Sequence, residues 1–374
     1  MNKNLILFIK WLLYPFVLLN SWFRQLFINK DEKQLKIIGT GCYLPKKQLS
    51  NYELLEFINI DELLIKYNKK NNNKLTNNLN KEDKHKLAYF IKDYYGISTR
   101  YRANVEETNS FMGAEAIKQA CINANVKLSE IDLIINASVT CDEIVPDTSV
   151  KIHNLLKLEN TTSFSVHATC MSSMCALNIA NSILKSDPNI KTIAIVASEK
   201  SSLGINPTDP STYTILGDIA SAIIIKAESN TKSMILNTKF VTYSEYCNDI
   251  KLNIGNINYP TYNNDITNYY FKMNSFNLMN KVLKIVQEFG PRLFLSDYKY
   301  VVVHQPSKFG VKHLKDFFQD KMIESFNDVG NCVSASIPYN LHKLIHEKKI
   351  ARGEKILLFG IGAGLNIGAI NLIY

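Results

Sequence analysis

Beyond residue 112 two kinds of apolar patterning alternate along the chain. Short continuous runs such as IDLIINASV (131–139), KTIAIVAS (191–198) and ASAIIIKAE (220–228) have the β-branched content of buried strands. Between them, MGAEAIKQACINANV (112–126), TSVKIHNLLKL (148–158) and MCALNIANSILKS (174–186) repeat their apolar residues every three or four positions, as amphipathic helices do. SFSVHAT (163–169) reads as a strand ending at Cys170. The grammar then recurs, with helices over 277–289, 311–318 and 339–349, a strand over 298–307, and two closing strands in 354–374. Alternation of this kind predicts a layered α/β fold, and its recurrence predicts two pseudo-symmetric halves, 35–225 and 226–374.

Two segments fall outside this pattern. Residues 66–86, KYNKKNNNKLTNNLNKEDKHK, are dominated by Asn and Lys, and read as a solvated, mobile insertion in the first half. Residues 1–34 form an N-terminal extension in which LILFIKWLLYPFVLLNSWF (5–23) is almost wholly apolar, flanked by basic residues, with no small-residue cleavage site. A membrane-surface helix, a helix docked on a protein or on its own domain, and a single span are the readings open to residues 1–30.

Composition narrows the chemistry. Seven cysteines, without CxxC pairs or His/Cys metal spacing, suit a reducing cytoplasm and no bound metal. A net charge of +9 favours an acidic partner or a membrane surface, and the basic residues form no nucleic-acid motif. Cys170 stands where the strand-like run gives way to a helical pattern, and a helix N-terminus favours a thiolate there. His304 follows the run YVVV, at a strand end where open α/β sheets carry ligands. Asn331 sits in the small-residue turn GNCVSASIP. Singly, each is the kind of residue a core or a turn uses for packing. Together they form the Cys/His/Asn set that a nucleophile with polarising donors requires.

Over 36–374, apart from the insertion, the chain resembles the ketoacyl-ACP synthase III family. The pieces are IIGTGCYLPKKQLSN, YGISTRYRA, ATC, NPTDPSTYTILGDIASAIII, VVVHQPS, GNCVSASIP and GIGAGLNIGA, in the family's order. The resemblance implies a thiolase-like fold with a five-layered αβαβα core. It implies no cofactor, an acyl group carried on Cys170 as a thioester, and a malonyl- or 3-oxoacyl-carrier substrate bound at His304 and Asn331. It further implies an oxyanion hole from the N–H groups of Cys170 and Ala363, acyl carrier protein as partner, and a homodimer, with a heterodimer as alternative.

Departures from the family pattern bear on the donor. Tyr94 and Pro210 replace arginines that hold coenzyme A, and Phe90 replaces a tryptophan that stacks on adenine. Val145 replaces a phenylalanine of the partner's pocket wall, with room for a longer acyl chain. Phe309 replaces an arginine that holds carrier protein, leaving Lys308 and Lys312 for that contact. The expected function is decarboxylative condensation in specialised lipid, polyketide or fatty-acid synthesis. Its rivals are acyl transfer to an oxygen or nitrogen nucleophile and a non-catalytic partner subunit.

Overall fold

A computed structural model describes residues 33–72, 74–229, 231–252, 270–273, 281–282, 285 and 297–374. The extension 1–32 and nearly all of the helix expected over 277–289 lie outside the described residues.

The described strands include two five-stranded sheets. The first is built from β1 (Gln34–Tyr43), β4 (Leu133–Asn136), β5 (Thr162–Ser165), β6 (Thr192–Glu199) and β7 (Ile219–Glu228), in the order β5-β4-β6-β7-β1. The second contains β8 (Met234–Thr242), β11 (Tyr300–Val303), β12 (Met322–Ile323), β13 (Lys355–Gly362) and β14 (Asn366–Ile373), in the order β12-β11-β13-β14-β8. Ranked along the chain, the strands of both sheets run third, second, fourth, fifth, first. Both sheets also have the same sense: two parallel pairings, then two antiparallel ones. Two short antiparallel pairs complete the strands, β2 (Lys47–Ser50) with β3 (Thr99–Arg102), and β9 (Ile250–Lys251) with β10 (Lys272–Met273).

Period-two alternation explains the layering. In β6, Ile193, Ile195 and Ala197 face one apolar cluster, while Ala194 and Val196 face another. In β11, Val302 faces inward and Val301 and Val303 outward. The helices of eight residues or more among the described residues are, in chain order, α1 (Asp61–Asn71), α2 (Lys81–Tyr95), α3 (Asn109–Ala124), α4 (Thr148–Leu155), α5 (Ser172–Ser186), α6 (Lys308–Phe318) and α7 (Ser336–His346). Leu177, Ala180 and Leu184 of α5 and Ile337, Leu341 and Leu344 of α7 join the inner faces of both sheets in one core. Helix α3 covers the outside of the first sheet, and α6 covers the outside of the second. Two sheets and three helical layers give the αβαβα order. At Gly41 a Cβ would lie 2.4 Å from the Ala120 nitrogen, so this glycine lets α3 lie close on β1.

The structure corrects two expectations. The strand before Cys170 ends at Ser165, and irregular backbone covers 166–169. The Asn/Lys-rich stretch is largely exposed, as expected, but it joins α1 and α2 into a packed helical hairpin. Leu63, Leu64 and Tyr67 of α1 are buried against Leu87, Phe90 and Ile91 of α2, and Leu75 and Leu79 pack beside them. Burying a leucine is worth about 1.5–3 kcal/mol, so a few such residues hold a hairpin that is polar elsewhere. Its asparagines supply the turns. Asn68 bonds both the N–H and the carbonyl of Leu75, at 2.9 and 2.8 Å, and Asn80 caps α2 in a box with Asp83. No helix among the described residues is long and apolar enough to cross a membrane.

Candidate active site

The residues that matter collect where β13 ends. Cys170 lies two positions before the first residue of α5, preceded by Thr169 at φ +52°. A β-branched residue in the left-handed region is strained, and neighbouring bonds hold it there. Thr169 donates from Oγ1 to the Ala363 carbonyl at 3.3 Å, and its own carbonyl accepts from Ser172 Oγ at 2.7 Å. That backbone turns Cys170 toward the segment Ile361–Ala363.

Cys170 is half-buried and keeps partial solvent access. Burial pushes its thiol up to about 12, and the Glu199 carboxylate adds to the rise. The main-chain N–H groups of Ala363 and Cys170 act in the opposite direction. The expectation of a ready thiolate is thereby corrected. Removal of the sulfur from water outweighs the pull of the helix N-terminus and of the two N–H groups. Desolvation prevails, and Cys170 is held as a thiol near neutral pH.

His304 is almost fully buried and continues β11 through its N–H bond to the Phe359 carbonyl. Its Nε2 lies 3.3 Å from Asn331 Oδ1. The orientation of the Asn331 amide follows from its other partners: Val333 N–H donates to Oδ1 at 2.9 Å, and Nδ2 donates to the Pro306 carbonyl at 3.3 Å. Oδ1 is an acceptor, so the His304 nitrogen that faces it, Nε2, carries a proton. Burial lowers the pKa of His304 to about 4, with the Asn331 amide and the Ile361 carbonyl opposing the shift. The imidazole is neutral near pH 7. Cys170 and His304 thus meet the same strand end, one through Ala363 and the other through Ile361.

Three residues that sequence reasoning passed over brace this arrangement. Glu199 is fully buried at the end of β6 and accepts from Val139 N–H (2.8 Å), Thr140 N–H (3.0 Å), Thr140 Oγ1 (2.9 Å) and Ser334 Oγ. Burial raises its pKa against these four donors. Ser173 Oγ donates to the Ser334 carbonyl. An acidic residue closing an otherwise apolar strand, TIAIVASE, was the available signal for Glu199.

The remaining candidates are dispersed. Phe90 is 3 % exposed, stacked on Tyr94 at 5.2 Å and met edge-on by Tyr67 at 5.4 Å. The open aromatic face expected of it is already occupied, because the inserted hairpin and Tyr94 cover the ring. Val145 is 83 % exposed on the loop before α4 and stands outside the chain's own Cys/His/Asn site. Lys308 and Lys312 are exposed on α6, with Lys308 Nζ donating to the Asp93 carbonyl. Among the described residues no group of three or more His, Cys, Asp or Glu side chains could hold a metal ion.

Comparison with known proteins agrees with this geometry. The family description 3-oxoacyl-[acyl-carrier-protein] synthase III matches residues 164–244, and its C-terminal portion matches 292–374. The chain is 30% identical over 347 residues to the beta-ketoacyl-[acyl-carrier-protein] synthase III of Wolbachia pipientis wMel, covering 90% of this chain and 98% of that one. With the Aquifex aeolicus enzyme of the same name it shares 29% over 342 residues, covering 91% and 99%. The solved structure of 3-oxoacyl-[acyl-carrier-protein] synthase III from Aquifex aeolicus VF5 matches with a TM-score of 0.73 at 28% identity, over 91% of this chain and 100% of that one. The priming β-ketosynthase of the R1128 polyketide pathway shares the fold, with a TM-score of 0.75 at 22% identity over 92% and 97%. Similarity along almost the whole length of these relatives, on the same layered fold, shows that the chain belongs to the beta-ketoacyl-[acyl-carrier-protein] synthase III family.

Proposed function

We propose that the protein joins an acyl primer to a malonyl- or 3-oxoacyl-carrier substrate by condensation at Cys170. The observation that carries this reading is the pairing of a neutral His304 with Asn331 beside the strand end that also meets Cys170. In the first half-reaction the Cys170 sulfur takes the acyl group from a donor thioester, and the donor leaves as a thiol. The N–H groups of Cys170 and Ala363 face the reacting sulfur and so are placed to stabilise the tetrahedral oxyanion.

In the second half-reaction the C–C bond to the malonyl carboxylate breaks and carbon dioxide leaves. The electron pair becomes an enolate on the thioester, held by the His304 Nε2 proton, which turns to it from Asn331 Oδ1, and by the Asn331 Nδ2 proton not given to Pro306. Neutral donors suit this step, because they stabilise the developing charge without handing over a proton early. The enolate carbon attacks the acyl-cysteine, and collapse of the intermediate releases the Cys170 sulfur, which regains its proton.

Exposed Lys308 and Lys312 on α6 form the basic contact for an acidic carrier protein. A homodimer is supported by β5, an edge strand, and by the exposed apolar residues Ile144, Val145 and Leu155 nearby. The test is Cys170→Ser, assayed by intact-protein mass and carbon dioxide release. Loss of the acyl adduct and of condensation is expected, since a serine hydroxyl is far less nucleophilic than a cysteine sulfur. Near-normal turnover would overturn the covalent route, and acyl transfer without carbon dioxide or a new C–C bond would favour an acyltransferase.

A further inference from the structure

A cleft of about 620 Å³ opens beside β2 and β3 and the segment 202–213, and none of Cys170, His304, Asn331 or Ala363 lines it. Its floor is a small apolar cluster of its own, Leu49, Leu54 and Tyr213 with Ile58 and Ile205. Phe57, 61 % exposed, stands at the mouth with Lys47 Nζ 4.2 Å above its ring. Lys46, Lys47 and Arg102 supply positive charge along the wall. Glu107 also lines it, but its carboxylate is taken up by Tyr43 Oη (2.8 Å), Lys46 N–H (3.0 Å) and Asn104 N–H (2.8 Å).

Arg102 is the unusual member. Its guanidinium donates only to neutral carbonyls, those of Tyr101 (3.3 Å), Leu216 (2.5 Å) and Tyr213 (3.1 Å). Among the described residues it forms no ion pair. Asp218, whose charge it senses, is engaged by Ala103 N–H and by the N–H and hydroxyl of Ser202. An apolar floor of this size with a few polar groups at one end has the character of a small-molecule site, and a guanidinium without a carboxylate is the matching group for an anionic head.

Two of the carbonyls that Arg102 holds, those of Tyr213 and Leu216, belong to the segment that positions Asn331. Asn331 N–H donates to the Ile215 carbonyl at 2.7 Å, and Gly217 N–H donates to the Asn331 carbonyl at 3.1 Å. The fit is close, since a Cβ at Gly217 would lie 2.0 Å from the Val329 carbonyl oxygen. We propose that this cleft binds an alkyl carboxylate whose head group draws Arg102 off the 213–217 segment, so that occupancy slows the step served by Asn331. The regulatory half of this inference rests on the assignment of Asn331 to condensation.

The test uses dodecanoate as probe and the full chain. Calorimetry on protein alkylated at Cys170 should show one site, with acetate silent for want of a tail. Lys46→Glu/Lys47→Glu and Phe57→Ser, all at exposed positions, should each weaken dodecanoate at least tenfold. With unmodified protein, saturating dodecanoate should lower condensation at least fivefold while leaving acyl loading of Cys170 unchanged. No binding, binding indifferent to these variants, or binding without slowed condensation in an enzyme that loads normally would overturn the proposal. If no thioester loads Cys170 at all, the proposed function fails, and the calorimetry still decides whether the cleft is a site.

Discussion

Ser173, in the first turn of α5, donates its hydroxyl to the carbonyl of Ser334 at 2.9 Å, and Ser334 in turn donates to Glu199. The helix that follows the nucleophile is thereby fastened to the turn that presents Asn331. The segments that carry Cys170 and Asn331 thus share one frame, and the proposed half-reactions would draw on different donors within it.

This division predicts how variants separate. His304→Ala and Asn331→Ala should still acquire acyl groups at Cys170 and lose condensation by roughly 10²–10³-fold each, the usual cost of an oxyanion-type donor. Single-turnover loading followed by malonyl-carrier chase measures the two steps apart. Equal loss of loading would move both residues into the first step.

Acidity supplies an independent check. The pKa of His304 is about 4 in the folded chain and about 6.5 in the unfolded one. Between those values only the unfolded chain binds the extra proton, so stability is full above about 6.5 and falls as pH drops toward 4. From pH 7.5 to pH 5 the loss from this residue is roughly 2 kcal/mol. Urea denaturation of wild type should show that loss and His304→Asn should lack it.

The raised thiol gives a second pH signature. Below about 12 the thiolate fraction of Cys170 grows tenfold per pH unit. Its alkylation by iodoacetamide, read by intact mass, should climb with a slope near one in logarithmic units from pH 6 to 10. A plateau near neutrality would show that the thiol ionises there after all.

Donor choice follows from Tyr94, Pro210 and the covered Phe90. With the stacking face occupied and both arginines absent, carrier-bound primers should exceed the coenzyme A forms in kcat/KM for the same acyl chain. Tyr94→Arg with Pro210→Arg should shift that ratio toward coenzyme A. A wild-type preference for coenzyme A would refute the expectation.

Residues 1–30 have a test of their own. Trp11, Leu12, Leu13, Phe16 and Trp22, flanked by Lys3, Lys10, Arg24 and Lys30, combine apolar area with positive charge, the two contributions that hold interfacial helices on anionic lipid. Deleting them should leave an active enzyme that no longer sediments with anionic liposomes. Loss of activity or of the dimer, with liposomes ignored by the full chain, would make the segment a docking helix.

Much of this architecture was legible because the signals are local. Val301, Val302 and Val303 announce a strand, and the threefold and fourfold spacing of Leu177, Ala180 and Leu184 announces a helix. Cys170, His304 and Asn331 could be picked out because each sits at the end of such an element. What escaped was set by tertiary surroundings. The Asn and Lys content of 66–86 is visible in the sequence, but burial of Leu63 and Tyr67 against Phe90 is not. The dipole at Cys170 can be read from its place before a helix, whereas the desolvation that outweighs it belongs to the walls around it. Ser173, Ser334 and Glu199 are far apart in sequence and meet only in the fold.

Met171, next to the nucleophile, is almost fully buried, and its side chain fills the hollows left by glycines of the second sheet. A Cβ at Gly360 would lie 2.4 Å from its sulfur, and one at Gly368 would lie 2.3 Å from its terminal carbon. The peg comes from one half of the chain and the socket from the other. Neither half can loosen without exposing that contact, so the two repeats should melt as one cooperative unit despite their matching topology. The two halves are joined at the very residue beside Cys170: widening Gly360 or Gly368 would loosen that joint and displace Cys170 in the same stroke.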